Sequence, residues 1–312
     1  MDVVDQPNVA TLPPAIIELT PELARKRRSQ LRIIFDRFMR NRTAVLGMAV
    51  LGVIILLAVL APILTGTTAT HNPAIDPTTN QFAGISLSHP LGTDELGRDV
   101  FARLLFGAQV SLTVGATSML VALLIGVSIG AVAGFYGGWI DNILMRLVDT
   151  MLAIPYLLLL FVLSLTFSNG TVPAIVLLIA VLAWPSTARL VRGEFLAMKN
   201  HEFLLASRTL GASDLRLMLR HILPNAAGPI IVNATILVGV NIITESVLSF
   251  FSFGLNPPQS SWGTMLDQSR DFFFSDPKML YIPGLAILVT VLCFNLMGDG
   301  LRDALDPHMT QR

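Results

Sequence analysis

Charged side chains are scarce in this 312-residue chain: Asp, Glu, Lys and Arg together make up 13%, where a soluble domain carries about a quarter. Acidic and basic residues balance at a formal net charge of zero, so no global basic field points to nucleic acid. Cys293 is the only cysteine and lies in an apolar run, which excludes an internal disulfide and leaves the redox compartment unread. Lysine occurs only at Lys26, Lys199 and Lys278, and none follows a glycine. The chain therefore lacks the loop in which glycine amides and a lysine before Ser/Thr hold nucleotide phosphates. The five histidines are scattered, with no Cys-x-x-Cys, His-Glu-x-x-His or Gly-x-Ser-x-Gly spacing, so metal-dependent and serine-nucleophile hydrolysis have no support. An intramembrane enzyme would need a nucleophile and a base at one depth, and His89 and His221 both fall outside the apolar runs.

What the chain has in quantity is apolar sequence, 53% of all residues. It is gathered into six runs, 43–64, 110–135, 147–167, 172–190, 227–250 and 279–298, each close to the roughly 20 residues that a helix needs to cross the hydrocarbon. Gly115, Gly126, Gly130 and Gly134 in the second run allow close helix approach where lipid cannot drive association. Basic residues fix the expected direction. All but Arg98, Arg103, Arg270 and Lys278 precede the first run, follow the last, or belong to the second-to-third connection and the fourth-to-fifth region, Arg189 standing at the very end of the fourth run. The positive-inside rule then puts both termini in the cytoplasm. Residues 1–28 are polar, carry Pro7, Pro13, Pro14 and Pro21, and show no apolar signal core; a disordered cytoplasmic tail without a cleavable signal is expected. Leu31, Ile34, Phe35 and Phe38 then recur at helical spacing among Arg32, Arg37 and Arg40, which predicts a helix lying in the membrane interface.

The connection 192–225 is too long for a turn and reads as two short helices. Asn200 is the expected cap of the first and Gly211 its terminator. Ser213 would cap the second, with Asp214 at its positive end, Arg220 and His221 at the other, and Pro224 as its stop. Leu215, Met218, Leu219 and Ile222 fall on one face. Two readings stand: both faces lie on the bundle, or the hinge at Gly211-Ala212-Ser213 projects and fills a partner's groove.

Other positions carry similar pairs of readings. Gly92-Thr93-x3-Gly97-Arg98-Asp99 is either a closed turn with Arg98 paired to a carboxylate or a receptor-facing surface, with Asp99 starting an interfacial helix to Phe106. Glu245, well inside a run, is either part of a gate or pathway with Ser249 and Phe250 or a wetted structural acid. Pro155 and Pro185 are expected to kink the third and fourth spans, and Asp149 to pair locally with Arg146.

Leu205-Ala206-Ser207-x3-Gly211-x9-His221-Ile222-Leu223-Pro224 resembles the "EAA" loop of bacterial ABC importer permeases, with Leu205 where an acidic residue is usual, Ser207 where alanine is and His221 where isoleucine is common. His89-Pro90-Leu91-Gly92-Thr93-Asp94-Glu95-Leu96-Gly97-Arg98-Asp99-Val100 is similar to the signature of dipeptide, oligopeptide and nickel permeases of the "C" subunit type. Asp141-x3-Met145-Arg146-x2-Asp149-x3-Ala153-x-Pro155, Glu245-x2-Leu248-Ser249-Phe250, Ser261-Trp262-Gly263 and the run from Gly298 to Pro307 resemble that group in the same order. Phe251-Ser252-Phe253-Gly254 departs from its usual Leu-Gly-Leu-Gly.

The resemblance implies an all-α membrane protein of the type I ABC importer permease fold, with six spans in the bacterial inner membrane. It divides the chain into a tail 1–28, an interfacial helix, first span and external loop 29–108, and a five-helix core 109–312. It makes Glu202, Leu205, Ala206, Ser207, Leu210, Gly211, Ala212, Ser213, Asp214, Leu223 and Pro224 the loop that couples to ATPases. The implied partners are a homologous permease, two cytoplasmic ATP-binding subunits, an extracytoplasmic binding protein and membrane lipid. No cofactor is bound by this chain, ATP and Mg belonging to the partner subunits. The implied solute is a di- or oligopeptide, with nickel or glutathione as the alternative. A stand-alone secondary transporter would show more ionisable residues within spans or an inverted repeat, and neither is evident.

Overall fold

The computed structural model describes residues 30–67, 72–77 and 80–305; the tail expected at 1–28 lies outside them, as do Asp306 and Pro307. Along the chain come α1 (Gln30–Arg40), α2 (Arg42–Val59), α3 (Ala61–Leu64), α4 (Val100–Tyr136), α5 (Gly138–Ala153), α6 (Tyr156–Phe167) and α7 (Val172–Met198). Then follow α8 (Glu202–Thr209), α9 (Asp214–Arg216), a π-helical turn Leu217–Ile222, α10 (Leu223–Asn225), α11 (Ala227–Phe250), α12 (Trp262–Gln268) and α13 (Lys278–Leu305). Among the described residues the only β pairing is an isolated Thr93–Asp99 bridge. α2, α4, α7, α11 and α13 are each long and apolar enough to cross a membrane, and α5 with α6 makes a sixth if the bent pair counts as one broken span rather than a re-entrant loop.

Three expectations need correction. The third span is not kinked but folded at 89° between α5 and α6. Pro155 offers no N–H and drives the preceding residue out of helical backbone, and Ile154 is accordingly extended at φ −80°, ψ 133°. Pro185, by contrast, sits buried inside an uninterrupted α7. The second span begins at Val100, not near 110: Asp99 accepts a hydrogen bond from the Ala102 N–H at 3.0 Å, and the interfacial helix expected there is the first turns of α4. The fourth span continues to Met198, so the connection that follows starts later than residue 192.

α7 is the centre of the bundle, with 61% of its apolar window buried against 22% for α2 and α13. It lies along α4, whose Gly126, Gly130 and Gly134 face it. A Cβ on Gly130 would stand 2.4 Å from the Ala188 carbonyl oxygen, so only glycine permits this approach. α11 packs on α4 through Val238 and Ile242, α13 against α11 and α2, and α1 folds back on the end of α13. There Ile34 and Phe38 pack with Ala44, Met297, Leu301 and Ala304. Ile34 and Phe38 of the apolar stripe expected to lie on lipid are thus covered by protein, while Phe35 remains exposed.

Candidate functional site

The connection between α7 and α11 forms one end of the bundle. His201, not Asn200, precedes the first turn of α8. The helix closes as expected at Gly211, whose φ of +84° is open to glycine at little cost. The Gly211 N–H reaches the Arg208 carbonyl at 3.0 Å and the Ala212 N–H the Ser207 carbonyl at 3.2 Å, the two-bond stop that satisfies the last carbonyls of a helix. Ser213 precedes α9 without a side-chain capping bond.

The expected apolar face of the second helix is only partly the buried one. Leu217, Met218 and Ile222 are buried, whereas Leu215 and Leu219 are exposed. The cause is the π-helical turn, whose wider winding shifts which positions face inward. Pro224 does not stop the chain either: α10 carries it and runs through Ala226 directly into α11. The inner side of the connection, Leu204 with Leu217, Met218 and Ile222, joins a core with Phe135, Val191 and Phe195. Its outer side presents Leu205, Leu210, Leu215 and Leu219 to the surroundings, Leu210 at 88% exposure. Glu202, Ala206, Gly211, Ser213 and Pro224 are exposed beside them, and Ser207, Ala212, Asp214 and Leu223 half-buried. All the loop residues singled out in sequence therefore sit on the exposed outer side of the connection or at its base.

The opposite end is closed by buried polar contacts. Glu245 is 0% exposed. Its Oε1 accepts from Ser249 at 2.8 Å and Ser261 at 2.7 Å, and its Oε2 from Ser111 at 3.2 Å. Ser261 caps α12, and the Trp262 N–H donates to Ser111 at 3.2 Å. Glu245 and Ser249 thus tie α11 to α4 and α12, and Phe250 lies at the end of α11 under the Arg270 guanidinium, 5.0 Å from its ring centre. Beside them Asp94 accepts from the Leu96 and Arg98 N–H groups at 2.9 and 2.8 Å, from Arg98 Nε at 2.7 Å and from Arg103 Nη1 at 2.5 Å. Gln268 of α12 accepts from both arginines. The closed-turn reading of this segment is the one the structure bears out. Gln268 was invisible in the sequence because it stands 165 residues from Arg103.

Asp149 does not pair with Arg146; it accepts from Arg189 of α7 at 2.6 Å. The sequence counted Arg189, Arg192 and Lys199 only as orienting charges, and nothing local could have named their partners. No group of three His, Cys, Asp or Glu among the described residues could hold a metal ion.

Comparison with known proteins agrees with this architecture. Residues 126–311 match the model of the binding-protein-dependent transport system inner membrane component family, and residues 29–87 that of the N-terminal TM domain of oligopeptide transport permease C. The dipeptide transport system permease protein of Alkalihalophilus pseudofirmus is 39% identical over 90% of this chain and 91% of its own. The oligopeptide transport system permease protein of Bacillus subtilis is 40% identical over 88% of each, and the glutathione transport system permease protein of Pectobacterium atrosepticum 42% identical over 72% of this chain and 75% of its own. A solved inward-facing MetNI methionine ABC transporter shares the fold, with a TM-score of 0.56 at 19% identity over 65% of this chain and 96% of that one. A bundle of apolar helices, closed at one end and carrying an exposed helical connection at the other, matched over most of its length by these permeases, places this multi-pass inner-membrane chain in the binding-protein-dependent transport system inner membrane component family.

Proposed function

We propose that the chain is the permease subunit of an ATP-driven importer of di- or oligopeptides and that it forms half of the translocation path with a homologous permease. The connection from His201 to Asn225 faces the cytoplasm together with both termini, where most of the basic residues gather. Two ATP-binding subunits dock on these connections, one per permease, and carry the ATP and Mg; this chain binds neither. A binding protein delivers solute to the end closed by Asp94 and Glu245. There Glu245, Ser249 and Phe250 act on the outer gate through the hold they give α12 and the end of α11.

The observation that carries this reading is the two-sided connection. Its inner face is locked into the bundle core, while Leu205, Leu210, Leu215 and Leu219 stand unpartnered around a glycine-closed helix. An apolar helical edge of this kind fills a groove on a partner. When ATP closes the ATPase pair, the connection moves as a lever and shifts the population between inward- and outward-facing bundles.

The test is purification of the tagged chain in mild detergent with mass spectrometry of what accompanies it. A second six-span permease and ATP-binding subunits are expected; recovery of this chain alone, transporting without ATP, would sink the reading. Glutathione is the second candidate solute, favoured by the 42% identical relative named for it. Competition between dipeptides and glutathione for uptake by reconstituted vesicles separates the two.

A further inference from the structure

α5 is weakly held. Of its sixteen residues only Asp141 and Val148 are buried, and Trp139, Ile143, Leu147 and Leu152 stand exposed in this chain. Apolar packing reaches it along one face only, where Met145, Val148 and Met151 join a core with Ala180, Ala183, Trp184 and Ala188 of α7, and it leads straight into the 89° bend before α6. Beside that bend lies an open cavity of about 250 Å³ lined by Met151, Ile154, Pro155, Tyr156 and Leu182.

Charge adds a directional hold to that packing. Arg192 of α7 donates to Asp141 through two prongs, Nε to Oδ1 at 2.5 Å and Nη2 to Oδ2 at 2.6 Å. The pair is 32% and 13% exposed, so it is shielded on the carboxylate side. Two turns further along α5, Asp149 meets Arg189, but that pair is 55% and 63% exposed and contributes little on its own. The same stretch of α7 is fixed to the corner before α5. Lys199 donates to the Phe135 carbonyl at 3.2 Å, and Arg208 of α8 lies over the Phe135 ring at 5.7 Å. Every one of these cations precedes or belongs to the connection that carries α8.

We propose that the Asp141–Arg192 fork is the mechanical link that makes the broken span follow the α7–α8 connection. Both are positioning residues: they touch neither solute nor nucleotide and act by carrying motion of the connection through α5 to the fold at Ile154–Pro155. A two-pronged guanidinium–carboxylate pair fixes orientation as well as distance, which a lever needs and a single charge contact does not supply. The inference rests on the reading that ATPases act on this connection.

The test uses the complete importer, with its partner subunits, in vesicles, measuring ATP hydrolysis and peptide uptake separately. Asp141→Asn and Arg192→Gln are expected to assemble and to hydrolyse ATP within about twofold of the parent while uptake per ATP falls about tenfold. Arg192→Lys, which keeps the charge and loses the fork, should recover only part of the loss. The exchanged pair Asp141→Arg with Arg192→Asp should recover most of it. Arg189→Gln should stay within about twofold. Full uptake per ATP in either single variant, or an exchanged pair no better than the singles, overturns the link. If the singles fail to assemble, spin labels at the exposed positions Trp139→Cys and Phe203→Cys decide in an otherwise unaltered complex. A distance between them that is constant between the nucleotide-free and ATP-bound states supports the link, and one that changes overturns it. A parent complex whose uptake does not require ATP would instead refute the underlying importer reading, and the two failures are distinguishable.

Discussion

The two ends of the bundle spend their polar residues differently. At one, Asp94, Arg103, Gln268, Glu245 and three serines form buried networks that join the segment before α4, α4 itself, α11 and α12, with the buried Arg103 Nε left without a partner. At the other, ion pairs are mostly single and exposed, Arg208 with Asp214 at 3.1 Å among them, and leucines point outward without partners. A buried charge must be paired or the fold suffers, so the first arrangement resists change. Exposed pairs are individually weak, so the second leaves its segment free to be gripped and moved.

The contrast breaks first at Arg103, which is 2% exposed. Arg103→Met removes one of the cations on buried Asp94 and should cost about 3–5 kcal/mol, read as a collapse of the monodisperse peak after heating in detergent. Smaller losses, about 1–3 kcal/mol each, are expected for two changes of different kind. Gly130→Ala must push α4 from α7. Glu245→Ala strips the shared acceptor from Ser111, Ser249 and Ser261, whereas Glu245→Gln, which keeps an acceptor oxygen, should lose less. Both are checked by the same thermal assay. At the bottom of the scale Leu210→Glu should change stability by less than about 0.5 kcal/mol, yet abolish co-purification of the ATP-binding subunits. If Leu210→Glu destabilised the chain as Arg103→Met does, the two ends would not differ in the way proposed.

How much was readable follows from how local each signal is. Gly211 announced its helix stop because a positive φ after a helix is a property of three or four residues. The spans announced themselves because a bilayer sorts by the composition of some twenty consecutive positions. The helix start at Asp99 was readable as a cap, but its unbroken run into the second apolar stretch was missed, because Arg103, Gly107 and Gln109 lie between the two and the first turns read as interfacial. The face of the second short helix was misassigned because a π-helical turn leaves no sequence mark that spacing can detect.

Pairings at long range were not readable at all. Asp149 had a plausible partner three residues away in Arg146 and took Arg189, forty residues distant, instead. Local geometry offers an ion pair at i and i+3 only a few tenths of a kcal/mol, too little to decide against whatever the packed bundle brings near.

The sequence by itself determined the membrane class, six apolar runs, the imbalance of basic residues and the helix–glycine–helix frame, because each is written in composition or in short spacing. Only the tertiary structure decided that Pro155 breaks its span while Pro185 does not, that Glu245 is walled in by three serines, and that Arg192 grips Asp141. These depend on which helices lie side by side, and that is settled by close packing at glycines such as Gly130 and by burial summed over the whole bundle.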